Sequence, residues 1–172
     1  MSDFAHRLPI DQIRDGDRTD LVATGEERAV IADRLSLSSL DRLEAHAVLS
    51  RDGRSIRASG RVKATLEQAC VATGEPVPAN IDEPFDLHFR PEPGAGAADE
   101  EIELGESDLD TVFHDGSAID LGAAIGDTLA LALDPYPRSA GADAALKEAG
   151  VVTEEEAGPF AALAALKEKL GK

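Results

Sequence analysis

The chain has 172 residues and a formal net charge of −17, which opposes broad electrostatic attraction to polyanions and favours cationic partners. Its length suits one domain with a hydrophobic core, and 42% apolar and 30% charged residues are ordinary for a globular protein. Cys70 is the only cysteine, which excludes an intrachain disulfide and a cage of Cys ligands. Without an apolar N-terminal segment or a bilayer-length apolar run, the sequence predicts a soluble, cytoplasmic protein with no membrane span.

The N-terminal third predicts a short strand followed by one capped helix. A strand is expected within Phe4 to Ile10. Thr24 and Glu27 have the spacing of a capping box, in which each side chain bonds the other residue's backbone N–H. The helix that follows is expected to bury Val30, Ile31 and Leu35.

The middle third alternates apolar and polar residues with a period of two, which is typical of strands with one solvated face. A first strand is expected from Arg42, and Asp52-Gly53 is a hairpin turn signal. The return strand has an apolar face formed by Ile56, Ala58, Gly60, Val62, Ala64 and Leu66. A further strand is predicted from about Val77 to Arg90, giving an antiparallel meander.

Residues 91–137 form an acidic block that holds twelve Asp or Glu and no Lys or Arg. Its first part, about 91–108, carries Pro and Gly and is predicted to be a mobile loop. One interpretation is a solvated linker, and the other is a surface for a basic partner. The candidate contacts for that partner are Asp99, Glu100, Glu101, Glu103 and Glu106. A short strand is expected to follow within Leu109 to Phe113.

The end of the acidic block predicts a buried helix that begins at an Asp120 N-cap, extends to about Leu133 and is stopped by prolines. Gly122 and Gly126, four residues apart, are interpreted as a site of close packing. A second, short amphipathic helix is predicted over 159–170. The predicted fold class is α+β, with an antiparallel β meander or partly open barrel-like sheet, a few packed helices and an acidic loop. Residues 1–138 are expected to form the single domain and 139–172 a C-terminal tail.

No catalytic constellation accompanies these elements. The four histidines have neither the spacing nor the neighbours of metal ligands, and each is interpreted as a solvated surface residue. Cys70 is interpreted as a small core residue in preference to a reactive thiol. The sequence therefore predicts a non-enzymatic protein with no metal, cofactor or small-molecule substrate.

One basic stripe stands out against the acidic composition. It consists of the RNA-contact candidates Arg51, Arg54, Arg57, Arg61 and Lys63. Alternation puts Arg57, Arg61 and Lys63 on one strand face, where they are spaced to meet consecutive phosphates. The alternative is that the stripe is solvated or pairs internally with the acidic loop.

Three blocks in order resemble the YceD family of large ribosomal RNA subunit accumulation proteins, most closely its alphaproteobacterial form. They are Cys70 to Val77 with the strand after it, Ile119 to Arg138, and the segment from Pro159. The motif positions are Cys70, Thr73, Pro76, Pro84, Phe85, Asp120, Leu121, Pro135, Tyr136, Pro137, Arg138, Pro159 and Phe160.

The resemblance implies a ribosome-biogenesis role in which the protein supports accumulation of large-subunit rRNA without enzymatic activity. The expected partner is a large-subunit ribosomal protein or an rRNA precursor. Two alternatives remain, namely direct rRNA binding through strand 51–63, or an uncharacterised acidic protein-interaction module. Some relatives carry a second Cys where this chain has Thr73, so a zinc role is not expected here.

Overall fold

The computed structural model describes residues 4–92 and 111–151. The predicted loop 91–108 lies outside these residues except for its first two positions, and the predicted helix 159–170 lies wholly outside them. The chain divides into two compact units. The first unit comprises Met1–Gln68 and Pro78–Pro135, and the second comprises Ala69–Val77 and Tyr136–Lys172. The predicted boundary at residue 138 stays a prediction.

The first unit is built on a five-stranded sheet of order β2-β3-β4-β5-β6. Its strands are β2 (Arg18–Val22), β3 (Leu37–Asp52), β4 (Ser55–Ala69), β5 (Pro76–Pro91) and β6 (Thr111–His114), and the ends of β4 and β5 extend into the second unit. Strands β2, β3 and β4 are antiparallel neighbours. The predicted hairpin is confirmed, because β3 ends at Asp52 and Gly53 adopts a φ of 61° that suits glycine.

The predicted alternation on β4 is also confirmed. Ile56, Ala58, Val62, Ala64 and Leu66 are buried, and the residues between them face solvent to varying degrees. This row packs in one hydrophobic core with β3, β5 and residues of both helices of the unit. The core is therefore made mainly of aliphatic side chains, as the low aromatic content requires.

The last strand of the sheet follows the predicted meander in the chain and has a direction that the sequence did not indicate. Strand β6 runs parallel to β5, with Phe89 opposite Val112 and Arg90 opposite Phe113. A parallel partner needs a long connection, and residues 92–110 supply it. The result is an open, mostly antiparallel sheet, and the part of the chain that the structure describes contains no closed barrel.

Helix α1 (Gly25–Arg34) begins with the predicted capping box. The Thr24 hydroxyl accepts a hydrogen bond from the Glu27 N–H, and the Glu27 carboxylate accepts one from the Thr24 N–H at 2.7 Å. The expected apolar face is partly wrong. Only Ile31 is buried, Leu35 is the C-cap and only partly buried, and Val30 is 47% exposed because the helix contacts the sheet along one narrow side.

Helix α2 (Leu121–Ala132) also begins as predicted. The Asp120 Oδ1 atom accepts hydrogen bonds from the N–H of Ala123 and from the N–H of His6, at 3.0 and 3.1 Å. One carboxylate therefore caps the helix and holds the N-terminal segment. That segment forms β1 (Arg7–Pro9), shorter than the predicted strand, which pairs antiparallel with β7 (Ala118–Asp120) and continues into a 3₁₀ turn.

The second unit joins the loop between β4 and β5 to the chain after α2. Within its described part lies one helix, α3 (Ala142–Glu148), in a segment whose Ala- and Gly-rich sequence is ambiguous. Arg138 pairs with Asp143 in the first turn of this helix at 3.1 Å.

Candidate functional site

The basic stripe lies partly on the solvent-exposed face of the sheet, which we call the outer face. Arg57 contacts Asp86 of β5 through two hydrogen bonds, one of them 2.7 Å from Nε to Oδ1. Arg61 donates to Asp82 from Nε to the carboxylate Oδ1 at 2.8 Å and from Nη2 to the backbone carbonyl oxygen at 3.1 Å. The later arginine of β4, Arg61, pairs with the earlier aspartate of β5, Asp82. The two strands therefore run antiparallel. Lys63 lies 4.0 Å from Asp82.

These ion pairs shift the pKa values of the residues that form them. The hydrogen bond from Arg61 holds the pKa of Asp82 below its ordinary value, and the hydrogen bond from Arg57 does the same to the pKa of Asp86. The bond from Asp86 raises the pKa of the Arg57 guanidinium. Both carboxylates therefore stay ionised at neutral pH and neutralise the arginines beside them.

The other two stripe residues do not lie on this row. Arg51 donates to the carbonyl oxygens of Ile10 and Gly53, at 2.8 and 3.0 Å, so it holds the N-terminal segment against the hairpin. Arg54 lies in the hairpin turn, and its carbonyl oxygen contacts His114 Nε2 at 3.0 Å. The stripe is thus divided into two residues at the turn and three on the outer face.

The row on the outer face continues beyond the arginines to the sheet edge. His46 is the cross-strand neighbour of both Arg61 and Asp20, and its Nδ1 lies 2.5 Å from the Asp20 carboxylate. Asp20, His46, Arg61 and Asp82 therefore form a row across four strands, with an Asp at each end. Because Asp82 is paired with Arg61, this part of the outer face is not a positive stripe.

The predicted internal pairing thus involves different acids from those expected. The carboxylates belong to β5, and the acidic loop lies outside the described residues. A sequence signal existed, because Asp82 and Asp86 are four residues apart, as are Arg57 and Arg61, on strands joined by one short loop. When two neighbouring strands are antiparallel and in register, equal spacing places both arginines opposite both aspartates.

The first two motif blocks meet within the second unit, at a place that we call the motif junction. The Val71 N–H donates to the Pro137 carbonyl oxygen at 2.9 Å, and the Ser139 N–H donates to the Cys70 sulfur at 3.3 Å. The Ser139 hydroxyl donates to the Glu75 carboxylate at 2.9 Å. Residues almost 70 positions apart in sequence are thereby tied together.

The Cys70 thiol is the unusual group of this junction. Its burial, at 3% exposure, agrees with the expected core position. Hydrogen bonds from the Ser139 N–H and then from the Thr73 side chain lower the pKa of the thiol from 9.0 to about 6. Cys70 is therefore a thiolate near neutral pH, a property that its position in the sequence did not indicate.

We expect this shift to make stability depend on pH. Between pH 6 and 9 the unfolded chain holds the Cys70 proton and the folded chain does not, so stability rises with pH across that interval. The contribution is complete above the unfolded pKa and is lost as pH falls through the folded pKa. Urea unfolding across this interval should show a steeper rise for the wild type than for Cys70→Ser. Parallel profiles for the two proteins would contradict the thiolate assignment.

The remaining motif positions are distributed over both units. Pro84 is exposed and Phe85 is buried on β5, while Asp120 and Leu121 start α2. Pro76, Pro135 and Tyr136 are exposed, Pro137 is buried, and Arg138 pairs with α3. Pro159 and Phe160 lie outside the described residues, as do the basic-partner candidates Asp99, Glu100, Glu101, Glu103 and Glu106.

One histidine corrects the sequence-based expectation that all four are solvated. His114 is 6% exposed, its Nδ1 accepts from the Gly116 N–H at 3.0 Å, and its Nε2 faces the Arg54 carbonyl oxygen. These contacts require the neutral ring with its proton on Nε2. His114 ends the edge strand β6, and its contacts with the Gly116 N–H and the Arg54 carbonyl oxygen bury its ring in the turn before β7.

Among residues 4–92 and 111–151, no cluster of three or more His, Cys, Asp or Glu has the arrangement of a metal site. No helix in this part of the chain combines the length and apolar character needed to cross a bilayer.

Comparison with known proteins gives one match. The model of the family described as large ribosomal RNA subunit accumulation protein YceD matches residues 58–167, which is more than half of the chain. The match begins on β4 and includes both blocks of the motif junction. No curated protein and no solved structure matches the chain.

Proposed function

Because the chain belongs to the YceD family of large ribosomal RNA subunit accumulation proteins, we propose that it supports rRNA accumulation by binding a basic large-subunit ribosomal protein. The family assigns the general role, which is accumulation of large-subunit rRNA. The partner and the mode of action are our proposal. In it the protein acts in the cytoplasm as a binding protein and performs no catalysis.

The observation that carries the proposal is the neutralised outer face. Arg57 and Arg61, the best-placed cations for an RNA backbone, are held by Asp86 and Asp82. An RNA phosphate must compete with a carboxylate already in place, whereas the net charge of −17 attracts a cationic protein without any such competition. The acids of the block 91–137 add to that attraction, since no Lys or Arg lies among them.

A binding experiment with separated ribosomal components tests this proposal. The full chain, immobilised, is offered purified large-subunit ribosomal proteins and, separately, protein-free large-subunit rRNA, each over a range of salt concentrations. We expect retention of one or a few basic proteins that weakens as salt rises, and little retention of rRNA. Retention of rRNA with no ribosomal protein would refute the proposal.

A second candidate function is direct rRNA binding by the outer face. It is favoured by exposure, because the side chains of Arg57, Arg61 and Lys63 are 55, 54 and 52% exposed on one face. Replacing all three with Glu should then abolish RNA binding and reduce the salt slope by about 0.7 for each lost phosphate contact. Lys147→Glu at an exposed position of α3 changes the net charge in the same direction and is the control for net charge alone.

A further inference from the structure

Strand β2 forms one edge of the sheet, and two contacts show which of its residues hydrogen-bond to β3. The Leu49 N–H donates to the Asp17 carbonyl oxygen at 2.7 Å, and the Ala23 N–H donates to the Leu43 carbonyl oxygen at 3.0 Å. In an antiparallel ladder, residues two apart point their backbone groups the same way. The residues whose backbone groups hydrogen-bond to β3 are therefore Asp17, Thr19, Leu21 and Ala23.

The alternate residues of this strand consequently point their backbone groups away from the sheet. Arg18, Asp20 and Val22 lie opposite Val48, His46 and Glu44 in the register, as non-hydrogen-bonded pairs. Within the described ranges, β2 pairs with β3 alone. Three N–H and three C=O groups thus lie along this edge at the spacing that an added strand requires.

The side chains along the edge define which strand fits. The Asp20 side chain is 76% exposed, and its Oδ1 atom faces His46, which leaves Oδ2 on the solvent side. Val22 is an apolar side chain that is 69% exposed. A hollow of about 430 Å³ lies beside them, lined by charged residues of both signs, among them Glu44, Arg61 and Lys63.

The geometry points to β2 as a docking edge for an extended segment of a basic partner protein, which adds to the sheet as an antiparallel strand. Lys or Arg of the partner lies opposite Asp20, and an apolar residue lies opposite Val22. Backbone hydrogen bonds to Arg18, Asp20 and Val22 supply the binding, and the two side-chain positions supply the selection. The inference rests on the proposed function, because it specifies how the basic protein is held.

Charge decides between a partner of this kind and a second copy of the chain. Two copies each carry −17, so their association is opposed electrostatically. Antiparallel pairing of two β2 strands centred on Asp20 also sets the two carboxylates directly opposite each other, which is destabilising. A cationic strand meets neither obstacle.

Amide hydrogen exchange of the full chain tests the inference residue by residue. The probe is a short synthetic peptide, Val-Thr-Lys-Thr-Val-Thr-Lys, in which Val and Lys two positions apart share one strand face and so lie opposite Val22 and Asp20, and the control peptide has Glu in place of each Lys. We expect the amides of Arg18, Asp20 and Val22 to become protected when the Lys peptide is added. The amides of residues 19 and 21 and of Ala23 are already bonded to β3 and should change little. Binding of the Lys peptide without this alternating protection would overturn the inference.

Two variants, with one matched control, separate a loss of peptide binding from a loss of folding. Val22→Pro removes one outward N–H without touching the ladder to β3, and Val22→Thr is its matched control. Asp20→Lys should weaken the Lys peptide about fivefold and strengthen the Glu peptide by a similar factor, which a merely destabilised protein does not do. Equal binding by Val22→Pro and Val22→Thr, or an unchanged peptide preference in Asp20→Lys, would count against β2.

The same measurement separates this inference from the proposed function. If the chain retains a basic ribosomal protein and the β2 amides stay unprotected in that complex, the docking edge is wrong and the proposed function stands. If no ribosomal protein is retained, the proposed function fails first. Protection of the β2 amides that depends on protein concentration without any peptide would assign the edge to a second copy and overturn the inference.

Discussion

Replacement of Gly122 with Ala is expected to destabilise the first unit by about 3 kcal/mol. A Cβ atom at this position would lie well inside contact distance of the Phe4 carbonyl oxygen and 2.9 Å from the His6 nitrogen. Both are backbone atoms of the segment that Asp120 holds through the His6 N–H. Neither can move without loosening β1, so the added methyl group has no room.

Gly126, one helical turn further along α2, provides the matched control. There an added Cβ would meet only the terminal Nη2 atom of the Arg34 side chain, at 2.9 Å, and a long side chain can move away. Alanine also suits a helix better than glycine, so Gly126→Ala should be neutral or stabilising by up to about 1 kcal/mol. Urea unfolding followed by circular dichroism measures both. A Gly122→Ala protein as stable as wild type would show that the close approach is not rigid.

Removal of the β5 carboxylates is expected to convert the outer face into an RNA-binding surface. In the double variant Asp82→Asn/Asp86→Asn, the Arg57, Arg61 and Lys63 side chains lose their anionic partners, while the shape of the strand is kept. Three released cations that meet three phosphates of single-stranded RNA would add about 2 to the slope of log affinity against log salt. The gain in affinity is then on the order of 100-fold at about 50 mM salt and disappears towards 1 M.

The control for this variant is Glu83→Gln, which removes a negative charge from the same strand at an exposed position. Its effect on RNA affinity should be small, because no hydrogen bond of the outer row depends on that residue. Electrophoretic mobility shifts with single-stranded RNA at several salt concentrations give both slopes. If the double variant bound RNA no better than Glu83→Gln, the carboxylates would not be what keeps the wild-type face from RNA.

These two predictions concern contacts between residues far apart in the chain, and that is where sequence reasoning was least informative. Local signals were accurate. The capping box at Thr24, the turn at Asp52-Gly53 and the N-cap at Asp120 each depend on residues within a few positions of one another. The buried row of β4 followed from the period of two, because successive side chains of a strand alternate between faces.

The errors share a physical cause, which is that burial and pairing are decided by neighbours distant in sequence. Val30 continues a helical apolar pattern, yet it is 47% exposed, while Ile31 is fully buried and Leu35 packs against the core partly buried. His114 lies beside the turn signal Asp115-Gly116 in the sequence, which suggested exposure, and is buried by contacts with the turn and with Arg54. The strand expected within Leu109 to Phe113 exists as β6, but its direction, parallel to β5, had no local signal because it depends on the path of the connection.

Residue patterns alone were enough to assign the fold class, the capped helices, the central hairpin and the family, whose model matches residues 58–167. Each of these depends on residue types at short or ordered spacings, which a linear pattern carries in full. Three features came from the folded arrangement: Asp82 and Asp86 neutralise the basic strand, Ser139 lowers the pKa of the Cys70 thiol, and β2 lies at an edge of the sheet. Those features require the register and order of strands, and a pairing between distant segments leaves only a weak trace in either segment alone.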